Sequence, residues 1–244
     1  MTHGVPKPVP ALLAPGSMPS RCEPIELHTF QGVHLFLGQR REGSRPGYPG
    51  LRLFSHLVAQ PYRRAAQDDP WADWWLLKVE EALSRSEEEL AQLSRRLESR
   101  LAGSDLQVVN TASQKPTTVT LHFGTPYGYL GARLLLQYDG YVRRIVQARQ
   151  AALLDRSEQS RWIRQGRKAV IRAYLSATGY RTFDVTRADL DPPTKAAIAA
   201  GSRMGALPQE VAAGRLRARH APTIVSQFTG TLRQSMGAIG PATR

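Results

Sequence analysis

The chain has 244 residues, 41% hydrophobic and 22% charged, a length and composition that suit a globular protein with a sizeable core and exclude a disordered one. Its 33 Lys and Arg against 20 Asp and Glu give a formal net charge of +13, which favours a polyanionic partner, either nucleic acid or an anionic membrane face. No apolar run approaches the ~20 residues that cross a bilayer. The proline-broken start has no basic signal-peptide head, and the lone Cys22 can make neither an internal disulfide nor a cysteine-rich zinc site, all of which points to a reducing cytosol.

Residues 1–24 hold six of the 17 prolines and read as a mobile head. Ile25, Leu27 and Thr29 then alternate with Glu26 and His28 in a strand-like pattern. Residues 31–37 continue it or form a short helix, 43–50 form a Gly- and Pro-rich loop, and 51–66 read as a helix with a possible kink at Pro61. The strongest helix signal is 70–102. Asp69 is its N-cap, Pro70 takes the first position, and Gly103 ends it. Leu76, Leu83, Leu90 and Leu97 recur every seven residues, as in a leucine zipper. A zipper transcription factor needs a basic helix upstream, whereas Asp68, Asp69, Trp71, Asp73, Trp74 and Trp75 stand there. The spacing therefore predicts an amphipathic helix packed within the protein or against a second copy, with these four leucines as candidate oligomer contacts. Trp71, Trp74 and Trp75 share one helical face and read as core anchors. Residues 25–110 are thus a helical N-terminal region.

The segment 111–155 carries the sharpest functional pattern. Over 117–123, Val119, Leu121 and Phe123 alternate with Thr118, Thr120 and His122, a half-buried strand with a polar outer face. Gly124 stops it, and Thr125 and Pro126 supply an N-cap and a first helical position. That helix is expected to break near Asp139 and Gly140, with a second helix over 141–154 presenting Arg143, Arg144 and Arg149 outward. Strand, helix, turn, helix is the plan of a ribbon-helix-helix DNA-binding unit, in which strands from two chains pair into a ribbon that enters the major groove. On this reading Thr118, Thr120 and His122 read bases, while Val119, Leu121 and Phe123 face the partner chain. Tyr141, Arg143 and Arg144 then lie at phosphates near the start of the second helix, and Lys115, ahead of the strand, is a further phosphate contact. The rival reading is an ordinary edge strand leading into a helical hairpin.

Residues 156–220 form a basic helical region, and 221–244 a mobile tail with few large apolar groups. Within the basic region Arg161, Arg164, Lys168 and Arg172 fall at i, i+3, i+7 and i+11 on one helical face. They are either a solvated surface or a phosphate-binding stripe. Thr186 to Asp189 resembles a capping box, and Asp191-Pro192 a further helix start. The charge is uneven: residues 68–102 carry −4, and every other segment is positive. Because 28 of the 33 cations are Arg, GC-rich codon usage is a second explanation of the excess.

Enzyme signatures are weak. The glycines of 124–131 lack the Gly-Lys-Ser/Thr ending of a phosphate loop, and no His-Glu-x-x-His pair occurs. Asp68, Asp69 and Asp73 could hold a metal, yet acids at a helix start also serve as caps. Cys22 has no evident base beside it. No catalytic residue, metal, cofactor or small-molecule substrate is expected.

Four strings carry a family resemblance: DDPWADWWLLKVEEAL at 68–83, TPYGYLGARLLLQYDGYVRRIVQARQAALLDR at 125–156, GYRTFDVTRADL at 179–190 and RMGALPQEV at 203–211. They resemble the integrating-conjugative-element protein family, grouped with AcaB-like transcriptional regulators of conjugative elements. The resemblance implies a bacterial protein of a mobile element with a ribbon-helix-helix-type fold. Together, residues and resemblance predict a mainly α protein with short β-strands, a ribbon-helix-helix-like unit embedded in a larger helical body. The expected function is sequence-specific binding of double-stranded DNA in the cytoplasm, at the nucleoid and away from membranes, by a homodimer or higher oligomer. The alternative is a non-catalytic accessory or assembly protein of the conjugative transfer apparatus.

Overall fold

In the computed structural model, residues 23–44, 46–102, 116–121 and 123–225 are described. These residues are mainly helical, with four short strands among them. Strand β1 (Glu23–Leu27) leads through Thr29 into α1 (Phe30–Leu37), whose first turn that threonine caps by accepting from the Gly32 amide. A small hairpin of β2 (Gly38–Gln39) and β3 (Tyr48–Pro49) follows, then α2 (Leu51–Ala65), with Pro61 buried inside it. Helix α3 (Pro70–Leu101) is the spine. It begins where the cap-and-proline signal predicts, the Asp69 side chain accepting from the Trp71 and Ala72 amides. Strand β4 (Thr117–Leu121) precedes α4 (Pro126–Gln150) and α5 (Arg156–Leu175). A 3₁₀ turn at Arg187–Asp189 closed by the Thr186 capping box, then α6 (Lys195–Met204) and α7 (Gln209–Ala212), complete the order. Among the described residues no helix is long and apolar enough to cross a membrane.

One core joins these elements: α3 lies against α2, α4 and α5, and α1 and α2 pack on α4. The heptad leucines Leu76, Leu83, Leu90 and Leu97 are at most 2% exposed and belong to this core. As oligomer contacts they are corrected. The seven-residue repeat marks a buried stripe, and that stripe is covered by the chain's own helices rather than by a second copy. The tryptophans do anchor packing. Trp71 donates to the Gly205 carbonyl at 3.0 Å, Trp75 packs near Tyr180, and Lys78 sits 3.9 and 3.7 Å from the Trp74 and Trp75 ring centres.

Two local expectations fail. The helix does not break at Asp139-Gly140: α4 is continuous for 25 residues, so no second helix begins at Tyr141. Glycine costs only about 1 kcal/mol inside a helix, and here Tyr138, Tyr141 and Val142 are buried on either side of it and hold the turn. Asp139 itself is buried and faces α1. The further helix starts at Lys195 with Thr194 as its cap, just beyond the Asp191-Pro192 pair.

Candidate nucleic-acid interface

Strand β4 pairs antiparallel with β1 of the same chain: Glu23 opposite Leu121, Pro24 opposite Thr120, Ile25 opposite Val119, Glu26 opposite Thr118 and Leu27 opposite Thr117. The ribbon expected from two chains is therefore built within one. The reason lies in the sequence: Ile25 and Leu27 give β1 the same period-two apolar face that Val119 and Leu121 give β4, and both faces settle on the core. Val119 is half-buried, while Leu121 and Phe123 are buried in that core, so the inner face meets the chain's own helices and not a partner's strand. Thr118 and Thr120 are exposed on the opposite face, beside Pro24 and Glu26 of β1. His122 and Lys115 lie outside the described residues.

A buried carboxylate fixes the ribbon to the helices. Asp139 of α4 accepts from the His28 amide at 2.9 Å, the Thr29 amide at 3.0 Å and the Thr29 hydroxyl at 2.6 Å. The start of α1, directly after β1, is thereby tied to the middle of α4. Gly32 makes the approach possible, since a Cβ there would overlap the Asp139 carboxylate. Gly131 plays a similar part where α2 crosses α4, because a Cβ would come 2.8 Å from the Phe54 ring. At the other end of the ribbon, Thr125 precedes α4, and Phe123 packs onto Gly128.

The expected phosphate contacts divide. Tyr141 is corrected: it is 2% exposed, its hydroxyl donates to the Trp162 carbonyl at 3.1 Å, and burial raises its pKa. With α4 continuous, the helix start expected beside it has no unpaired amides to offer. The true second helix, α5, starts at Arg156, and the Asp155 carboxylate occupies its Ser157 and Glu158 amides at 2.7 and 2.8 Å. Arg143 is half-buried and lines a groove between α3 and α4 with Arg95 and Arg144, the last paired with Glu98. Arg161, Arg164 and Lys168 lie exposed along α5, and no ion pair engages them among the described residues. Arg172, on the same stripe, reaches Glu89 of α3 at 3.0 Å. Arg167 instead stacks over the Tyr48 ring at 4.9 Å.

The acids near the start of α3 are taken by arginines and hydroxyls rather than grouped for a metal. Asp73 is fully buried and accepts from Arg187 Nη2 at 2.7 Å and from Arg217 Nε and Nη2 at 2.9 Å each. Asp68 pairs with Arg187, and Asp69 accepts from the Tyr180 hydroxyl at 2.7 Å. Burial raises the Asp69 pKa against these bonds. This network pins the C-terminal segment onto α3. Pairs from Arg133 to Glu87 and Arg172 to Glu89 spend further positive charge on the same helix. The sequence marks Asp73 only as a metal candidate or helix-start acid and Asp139 only as part of a helix break, and neither local pattern shows the distant arginines, amides and hydroxyl that they bind. Glu26 drew no role from the sequence, although the alternation that puts Ile25 and Leu27 inward already places it outward.

Comparison with known proteins agrees with this architecture. The family described as transcriptional regulator AcaB matches residues 14–225. The fold is similar to the crystal structure of selenomethionine-containing AcaB from uropathogenic E. coli, with a TM-score of 0.54 and 14% identity over 82% of this chain and 97% of that one. No curated protein matches the chain.

Proposed function

The chain belongs to the AcaB family of transcriptional regulators, and from that premise we propose that it binds double-stranded DNA in a sequence-specific way, reading the major groove with the β1–β4 ribbon. One observation carries the reading: a two-stranded ribbon, apolar on the side that meets the core, exposes Thr118 and Thr120 on the other. A two-stranded ribbon fits the ~12 Å major groove, and threonine can donate to or accept from a base edge and meet a thymine methyl. His122 is proposed to join these threonines in base reading, on the alternation of the sequence alone.

Affinity would come from elsewhere, since the described outer face of the ribbon bears no cation. Arg161, Arg164 and Lys168 would supply phosphate contacts from α5, joined by the exposed Arg172 on exchange of its half-buried Glu89 partner. Arg143, Arg144 and Lys115 are weaker candidates for the same role. A second copy, where one binds, has to use a surface other than the heptad leucines and the inner ribbon face. The regulator would act in the bacterial cytoplasm, at promoters of an integrative conjugative element.

The test is a gel-shift series from low to moderate salt with element promoter DNA and with random duplex. The reading expects a promoter complex that persists at salt concentrations where the random complex has dissociated. Absence of any DNA retention, with a stable oligomer present, would favour the accessory-protein alternative.

A further inference from the structure

The strand that completes the ribbon brings a side chain to its outer face that differs in kind from the threonines. Ile25 and Leu27 point into the core, so Pro24 and Glu26 stand outward, and Glu26 lies directly opposite Thr118. Its side chain is 59% exposed, and its one ionic neighbour among the described residues is His28 Nε2 at 4.0 Å, beyond hydrogen-bond length. An acid on a surface that meets DNA is repelled by the phosphates, so it is tolerated best where it aims at the groove floor and finds a donor. A carboxylate only accepts. On the major-groove edges, cytosine offers the N4 amino donor alone, whereas adenine sets its N6 donor beside the N7 acceptor, which repels an anion. Guanine and thymine offer acceptors there and no donor.

We propose that Glu26 is a specificity-determining residue of the ribbon, its carboxylate accepting a hydrogen bond from the N4 amino group of a cytosine in the major groove. The inference rests on the reading of the β1–β4 ribbon as the DNA-reading element and adds a named base to it. The ribbon then reads with two unlike strands, hydroxyls on β4 and an acceptor on β1.

The experiment is in vitro selection of full-length protein on a randomised duplex, run in parallel for wild type, Glu26→Gln and Thr118→Ala, followed by affinity measurements on the selected site and its single-base changes. Wild type should enrich one fixed C·G pair, and replacing that cytosine should weaken binding about tenfold. Glu26→Gln should lose that preference or turn it toward adenine, for which an amide has both a donor and an acceptor, while the other positions stay as in wild type. Its melting temperature should match wild type, because the side chain is exposed. A Glu26→Gln protein that selects the wild-type motif unchanged, or binds every duplex more tightly by one common factor, would overturn the assignment. If Thr118→Ala alters the motif in that case, the ribbon reading survives without Glu26. If neither substitution alters it, or if wild type selects no motif, the ribbon reading falls and Glu26 with it.

Discussion

Replacing Asp139 with Ala should destabilise the protein more than any exposed substitution on the ribbon. The carboxylate is 2% exposed and accepts three bonds, two from backbone amides and one from the Thr29 hydroxyl. Hydrogen bonds to a charged group contribute ~1.5–3 kcal/mol each, and a buried amide left without an acceptor costs ~1–3 kcal/mol. Allowing for the Thr29 hydroxyl to reorient and for some water to enter, the loss should be about 3–5 kcal/mol, a large part of the ~5–15 kcal/mol that typically separates folded from unfolded chains. Asp139→Asn keeps the shape and one acceptor but turns an amide donor toward the His28 N–H or the Thr29 donors, so its cost should be about half. Urea titration supplies the measurement, with the midpoint falling and the slope unchanged. Hydrogen exchange at His28, Thr29 and Gly32 should accelerate first. Gly32→Ala provides the internal control. Its Cβ overlaps this carboxylate, so Gly32→Ala with Asp139→Ala should cost less than the sum of the two single changes. An Asp139→Ala loss below about 1 kcal/mol, or strict additivity with Gly32→Ala, would refute the coupling of ribbon to α4 described above.

Three further predictions concern the network, the stripe and acid. Asp73→Ala strands the guanidinium of Arg217 and takes one of two acids from Arg187; breaking a buried ion set in this way should cost about 3–5 kcal/mol by thermal or urea unfolding. Changing Arg161, Arg164 and Lys168 together to Ala should make the plot of log affinity against log salt shallower by about 2–3, close to 0.9 per lost phosphate contact, in a filter-binding series on both specific and random DNA. The Glu158 backbone amide, followed by the Ser157 hydroxyl, holds the Asp155 carboxyl below the ordinary carboxylate range. A depressed acid stabilises above its unfolded pKa and loses that contribution as pH falls through the folded value. The first turn of α5 should therefore loosen below about pH 4, seen as faster exchange at Ser157 and Glu158, and Asp155→Ala should be loose at neutral pH with no such acid transition.

Much of the fold is legible locally. Asp69 with Pro70 and the Thr186–Asp189 box mark real starts, because a cap needs only side chains and amides within three residues. Thr125 with Pro126 marks another through the proline at the first helical position, since the Thr125 side chain bonds no amide of α4. The alternation over 117–121 announces a strand for the same reason. Partners distant in sequence are a different matter. Alternation says that one face of β4 is buried, and the heptad says the same of α3, but neither names what covers it. The cover proves to be β1, some 90 residues away, for one edge and the helices α2, α4 and α5 for the leucines. Asp139 misleads for a related reason. Beside a glycine it reads as a turn, and its role is set by His28 and Thr29, some 110 residues upstream. Tyr141 shares in that error, since it counts as a helix start only if α4 ends before it.

The central claim, that the outer face of one chain's ribbon chooses among DNA sequences, is tested most directly by a competition measurement on Thr118→Ala/Thr120→Ala. At one fixed salt concentration, the ratio of affinities for the selected site and for random duplex is compared with that of wild type. The account predicts that this ratio collapses toward one while affinity for random DNA and the melting temperature stay at wild-type values, because both threonines are exposed and carry no charge. An unchanged ratio, or an equal loss on both duplexes, would contradict it.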